Sequence, residues 1–184
     1  MAIRHKGLLF KKSMVWEKEI QLFVSARLNG FSLNVPSGSS MLGTIRVDMD
    51  PAMNPDRVAD MNDLPFENGV FDSAVQDPPW KLNYYARMRP FFELIRVVKV
   101  NGLIIYNAPW IPTSKAVELQ ATWIRRSAQF GNVSIISVFK KTTDKYDVEQ
   151  AIRALDPLPA LEEAPGDGLP RIPGQCRDPL VVVM

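Results

Sequence analysis

Asp77-Pro78-Pro79-Trp80 is the stretch of this chain whose residue types most directly suit chemistry. At average residue usage, such a tetrapeptide arises by chance in roughly one chain of this length in a few thousand. It follows an apolar run over 70–75, so it falls where a buried strand ends and a loop begins. A carboxylate beside a proline-stiffened carbonyl provides two fixed hydrogen-bond acceptors, and an indole provides a flat apolar face. That set suits work on an exocyclic amino group, with methyl transfer to its nitrogen as the reaction. The chain has one histidine, His5, and one cysteine, Cys176. A Ser-His-Asp triad, a cysteine metal cluster, a histidine-rich zinc site and an internal disulfide are therefore excluded. Direct methyl transfer needs neither a covalent nucleophile nor a metal, and no metal is expected.

Other strand ends carry groups that fit the same setting. In an open α/β sheet, ligands bind in the crevice beyond the C-terminal strand edges. Asp48 closes a second strand over 44–48, where an acid can accept hydrogen bonds from two ribose hydroxyls. Asp60 closes a third strand over 57–60, where an acid can accept from the amino group of an adenine. Between the first two strands lies Pro36-Ser37-Gly38, whose glycine lets backbone approach a ligand closely. Asn107-Ala108-Pro109-Trp110 follows the fifth strand and partly echoes the first motif; it reads either as part of the site mouth or as a structural turn. Tyr84 and Tyr85, with Lys81, Arg87 and Arg89, lie just past the first motif. Aromatics interleaved with basic residues suit a flipped or single-stranded nucleotide, and helix packing with solvated charges is the competing account.

The elements that must position these groups follow from periodicity. Helical spacing is expected over 14–28 and 84–98, closed by Asn29-Gly30 and Asn101-Gly102. A third helix is expected over 114–130, stopped by Gly131-Asn132. Strands are expected over 31–35, 44–48, 57–60, 71–75, 103–107 and 133–141. Strands separated by helices imply parallel βαβ units. About eight residues separate the first two strands, fewer than the dozen or so of a helical crossover, so that crossover must be shortened to a turn.

Taken together, residues 31–110 resemble a class I S-adenosylmethionine-dependent methyltransferase. The run Asp60-Met61-Asn62-Asp63-Leu64-Pro65-Phe66, followed by Phe71-Asp72, is similar to the superfamily's "D…LPF…FD" segment. Val47-Asp48-Met49-Asp50-Pro51 resembles its second-strand motif, and Asp77-Pro78-Pro79-Trp80 the catalytic motif of amino-methyltransferases acting on adenine N6 in DNA or RNA. The resemblance implies a Rossmann-like α/β fold with a mostly parallel, seven-stranded-type sheet and helices on both faces. It implies S-adenosyl-L-methionine as cofactor, held by Asn34, Val35, Pro36, Ser37, Gly38, Asp48, Met49, Asp60 and Met61. It assigns catalysis to Asp77, Pro78, Pro79 and Trp80, and substrate contact to Trp80, Tyr84, Tyr85, Asn107 and Trp110. The implied partner is a nucleic acid, DNA or RNA. This chain departs from the pattern where Pro36 replaces a first glycine and Asn34 an acid. It also leaves no room for a target-recognition domain, which a partner subunit would then supply. A protein or small-molecule amino group is the alternative acceptor, and a non-catalytic nucleic-acid-binding subunit the alternative role.

The bulk properties agree with one soluble domain. The chain has 184 residues, 46% apolar and 23% charged, and no apolar run of membrane-spanning length. We expect a leader over 1–13, a methyltransferase domain over 14–150 and a Pro/Gly-rich, disordered tail over 151–184. The body is net basic and the tail slightly acidic, a balance compatible with nucleic acid. The scarcity of cysteine points to a reducing, cytoplasmic setting.

Overall fold

The computed structural model of the protein describes residues 16, 18–83, 86–126 and 133–145. The expectations for the leader over 1–13, the tail over 151–184, Tyr84 and Tyr85 lie outside the described residues. The chain runs α1 (Lys18–Ser25), β1 (Ser32–Asn34), β2 (Ile45–Asp48), a 3-10 turn (Pro51–Met53), β3 (Arg57–Val58) and β4 (Phe71–Gln76). It continues through α2 (Met88–Val97), β5 (Val98–Ala108), β6 (Val117–Arg126) and β7 (Val133–Lys141). The strands form one seven-stranded sheet in the order β3-β2-β1-β4-β5-β7-β6. Neighbours from β3 to β5 are parallel. β7 runs antiparallel to both β5 and β6, so the sheet is mixed at that edge.

Alternation along the central strands splits the core between the two faces. On one face Ala74 of β4 with Ile104 and Tyr106 of β5 pack under Phe91, Leu94 and Ile95 of α2. On the other, Val75 and Ile105 meet Ile136 and Val138 of β7 beneath Ile20, Phe23 and Val24 of α1. Helices thus cover both faces, as a Rossmann-like sheet requires.

The crossover from β1 to β2 contains no helix. It is short and pinned by backbone bonds: Val35 N–H donates to Val75 O at 3.0 Å, and Ser37 N–H to Val47 O at 2.8 Å. The expected shortening is therefore real, and it fixes the loop that faces the strand ends.

Three sequence expectations are corrected. Where a helix is expected over 114–130, the described residues form strand β6 (Val117–Arg126), at the edge of the sheet, and the expected stop at Gly131-Asn132 lies outside the described residues. Val117, Leu119, Ala121 and Trp123 alternate as well as they repeat helically, and the β-branched and aromatic content (Val117, Thr122, Trp123, Ile124) favours pairing with β7. Trp123 also packs edge-on against Phe23 of α1, with ring centroids 4.3 Å apart. As a consequence, the β5–β6 connection is not a βαβ unit. Asn101-Gly102 does not end a helix, because α2 stops at Val97 and β5 begins at Val98. The pair sits in an irregularity of β5, where Asn101 has φ +69°. A Cβ on Gly102 would lie 2.6 Å from Val98 Cγ1 and 2.8 Å from the Asp72 carbonyl, so only glycine fits. Finally, β3 ends at Val58, which leaves Asp60 in the turn that follows rather than at a strand end.

Candidate functional site

β4 delivers Asp77 immediately beyond its C-terminal residue, Gln76. Two neighbours on the sheet then fix the carboxylate. Asn107, near the end of β5, donates from Nδ2 to Asp77 Oδ1 at 3.1 Å. Ser134 of β7 donates its hydroxyl to Asn107 Oδ1 at 2.5 Å, which sets the orientation of the amide. Asn107 and Ser134 are both buried. Trp80 Nε1–H reaches back to Asp77 Oδ1 at 3.2 Å, closing the loop on itself. On the other oxygen, Trp16 Nε1–H, from the residue leading into α1, donates to Asp77 Oδ2 at 2.5 Å. Three side chains, Asn107, Trp80 and Trp16, therefore converge on one carboxylate.

The same carboxylate opens onto a cavity of about 350 Å³, lined in part by Asn34, Pro36, Ser37, Gly38, Asp48 and Pro78. That volume falls within the range of about 300–1,000 Å³ usual for small-molecule sites. Asp48 is at the end of β2 and organises the far side. Its Oδ2 accepts from Gly38 N–H at 2.8 Å and its Oδ1 from Asp50 N–H at 2.9 Å. Gly38 has φ +51°, a left-handed conformation that suits glycine. Asp50 in turn accepts from Ala52 N–H at 2.9 Å and caps the 3-10 turn. Asn34 is buried and donates from Nδ2 to Leu42 O at 3.1 Å, tying the crossover to β1. Among the described residues, the cavity wall carries the carboxylates of Asp48, Asp50 and Asp77 and no lysine, arginine or histidine.

Of the residues singled out in the sequence, the structure brings Asn34, Pro36, Ser37, Gly38, Asp48, Asp77, Pro78 and Pro79 around this one cavity. It places others elsewhere. Asp60 is exposed and accepts from Asn62 N–H and Nδ2 at 2.9 and 2.8 Å, a turn-forming arrangement off the cavity wall. Met61 packs on the α2-side core, Val35 is buried in it, and Met49 is exposed. Trp80 is held at the rim by Asp77 and is not among the lining residues. Trp110 packs against the α2-side core with the Arg87 guanidinium 4.9 Å from its ring centroid. Near it, burial pushes the Tyr106 phenol well above its ordinary value, so it stays a neutral hydroxyl across physiological pH.

Sequence reasoning missed Trp16, Ser40, Asp50, Met53 and Ser134 as site residues. Trp16 reads as one more apolar position of a helical stripe, and its partner Asp77 is 61 residues away. Ser134 reads as the polar half of an alternating strand. Asp50 had a visible signal, a second acid two residues after Asp48.

No family model matches the chain, and no curated protein matches it. Solved structures do. The N-methyltransferase NodS from Bradyrhizobium japonicum WM9, in complex with S-adenosyl-L-homocysteine, superposes with a TM-score of 0.55 at 8% identity, over 68% of this chain and 85% of its own. The Burkholderia thailandensis 1,6-didemethyltoxoflavin-N1-methyltransferase, with bound 1,6-didemethyltoxoflavin and S-adenosylhomocysteine, gives 0.51 at 10% identity, over 68% of this chain and 78% of its own. The [4+2]-cyclase SpnF gives 0.53 at 10% identity, over 68% and 81%. At such identities the likeness establishes the fold, the Rossmann-like class I methyltransferase sheet, and one of the three proteins bears the name of a different chemistry.

Proposed function

We propose that this chain is an S-adenosylmethionine-dependent N-methyltransferase, acting on an exocyclic amino group. Adenine N6 in DNA or RNA is the acceptor we favour. One observation carries the reading: a single cavity joins the Asp77 carboxylate at the end of β4 to the Asp48 carboxylate at the end of β2. Two of the N-methyltransferases that share the fold were crystallised with S-adenosylhomocysteine, which supports the cofactor.

The residues present fit that cofactor. Asp48 and the Gly38 loop supply a carboxylate and closely approaching backbone on one side, and among the described residues no cation on the wall opposes a positively charged ligand. When bound, the cofactor supplies an electrophilic methyl group on a cationic sulfur. The protein's part is to orient the acceptor. An aromatic amino nitrogen is a poor nucleophile because its lone pair is delocalised into the ring. Asp77 and the Pro78 carbonyl accept its two hydrogens and favour a pyramidal nitrogen. The bonds from Asn107, Trp80 and Trp16 keep the carboxylate from rotating. Positioning of this kind supplies much of the rate in a direct transfer.

The resemblance of Asp77-Pro78-Pro79-Trp80 to the adenine-N6 motif supports a nucleobase. The test is methylated-base analysis after incubation of DNA and RNA with labelled cofactor, alongside small-molecule and protein amino acceptors. Asp77→Ala is expected to lower product by about 10²–10³-fold. Equal product from both proteins would remove Asp77 from the mechanism. Labelling confined to a protein or small-molecule pool would replace the nucleobase as acceptor.

A further inference from the structure

β6 (Val117–Arg126) closes one edge of the sheet, with β7 as its one neighbour among the described residues. Its outer row of backbone N–H and C=O groups therefore meets no strand there, and the strand holds no proline to block pairing. Leu119, Trp123 and Ile124 are exposed along it. Register fixes which positions share a face. Leu119 pairs with Phe139 and Ala121 with Val138, so Gln120 is an extra residue and the alternation resets across it. Leu119, Thr122 and Ile124 consequently lie on the α2 side of the sheet, and Glu118, Ala121, Trp123 and position 125 on the α1 side.

We propose that β6 pairs antiparallel with β6 of a second copy of this chain, about a two-fold axis at Thr122, so that the two sheets become one. The strand is complementary to itself, as a two-fold contact requires. An axis normal to the sheet keeps each face continuous, and sets Thr122 against its own copy and Trp123 against Ala121. Beyond the extra residue Gln120, Ile124 falls against Leu119 and Arg125 against Glu118. Each of these last matches occurs twice, apolar with apolar on the α2 side and acid with base on the α1 side; both kinds stabilise an antiparallel pair. A slip of one residue would set the α1 face of one copy against the α2 face of the other. β6 runs parallel to β5, and the axis reverses it in the second copy, so the two cavities point in opposite directions along the strands.

Sedimentation equilibrium of the full chain, loaded from about 1 to 200 µM, tests this. The wild type is expected to pass from monomer to dimer over that range, as a small interface does. Glu118→Arg brings like charges together twice and should weaken the dimer at least about tenfold. Adding Arg125→Glu restores opposite charges across the axis and should return the dissociation constant to within about threefold of wild type. Glu118 also faces Lys140 of its own chain, a pairing that the double exchange does not repair, so the recovery reports the contact between copies. In a chain carrying Cys176→Ser, Thr122→Cys should give a disulfide-linked dimer on mild oxidation, because residues opposed on the axis lie within bridging distance. A dimer that is indifferent to Glu118→Arg, or that Arg125→Glu fails to recover, would overturn the proposal. One that Thr122→Cys does not cross-link would overturn the placement of the axis. Cover of the edge by the chain's own remaining residues, or its reservation for a different protein, would show as a monomer at every concentration and sink the proposal outright.

Discussion

Asp77 owes its orientation to a relay of hydrogen bonds, from Ser134 to Asn107 to the carboxylate, all on the α1 side of three neighbouring strands. Each link satisfies a group that would otherwise be orphaned in or next to the core, where an unpaired polar atom costs about 1–3 kcal/mol. Asn107→Ala removes both links at once. We expect it to lower unfolding stability by about 1–3 kcal/mol and turnover by at least about tenfold, read from denaturant melts and initial rates. Ser134→Ala should cost about 1 kcal/mol and leave the Asn107–Asp77 contact in place. Much of this site was legible beforehand, because Asp77, Asp48 and Gly38 sit at strand ends or in the loop after a strand, and the crevice of an α/β sheet lies there. The relay was not legible. Ser134 and Trp16 are polar or apolar in the way their own elements demand, and only the tertiary pairing gives them a second role.

Among the elements, α2 does more than cover the sheet. Glu93 is buried and accepts Leu64 N–H at 2.8 Å, and Arg96 pairs with it at 2.8 Å. Arg96 also donates to the carbonyls of Leu64 and Phe66, at 2.9 and 2.6 Å. This clamp fixes the segment over 64–69 that leads into β4. Arg96→Ala would strand a buried carboxylate, and we expect a loss of about 3–5 kcal/mol in a thermal or urea melt. A second tie joins β4, β5 and the turn before β1: Asp72 accepts from Lys99 Nζ at 2.7 Å and from Phe31 N–H at 2.8 Å. The Lys99 bond, then the Phe31 amide, holds the Asp72 carboxyl below its ordinary 3.8, and the Arg46 guanidinium does the same for Asp56. For a carboxyl depressed in the folded state, the stabilisation is complete above the ordinary value and is lost as pH falls through the depressed one. Asp72→Asn should therefore flatten the acid limb of stability against pH, while leaving its shape near neutrality unchanged; urea midpoints from about pH 5 to 2 would show it. Gly30 stands against this tie with φ +57°, and a Cβ there would lie 2.4 Å from Asp72 Oδ2. Before residue 108 the order of helices and strands was readable from their patterns, while the start of β5 at Val98 and the end of β3 at Val58 were not. The 117–126 segment was not, since an edge strand buries too little to impose a clean alternation.

Seen whole, the molecule keeps the strand order of its fold with few of the connecting helices. Only α2 lies between parallel neighbours of the sheet, and the β5–β6 connection has no helix among the described residues. One result is an edge strand, β6, that exposes Leu119, Trp123 and Ile124. Such edges template association when nothing blunts them. Ile124 is 72% exposed, so Ile124→Lys should change stability by less than about 0.5 kcal/mol. It should also reduce light scattering on heating if the edge drives aggregation, whereas an unchanged onset would place the cause elsewhere.

The brace on Asp77 also bears on the order in which the protein is made. The carboxylate emerges from the ribosome with β4, yet its orienting amide comes 30 residues later and that amide's own anchor a further 27. A nascent chain halted after β4 would display the acid without its support. The brace is thus complete only when β7 takes its place between β5 and β6, the last strand of the sheet in chain order.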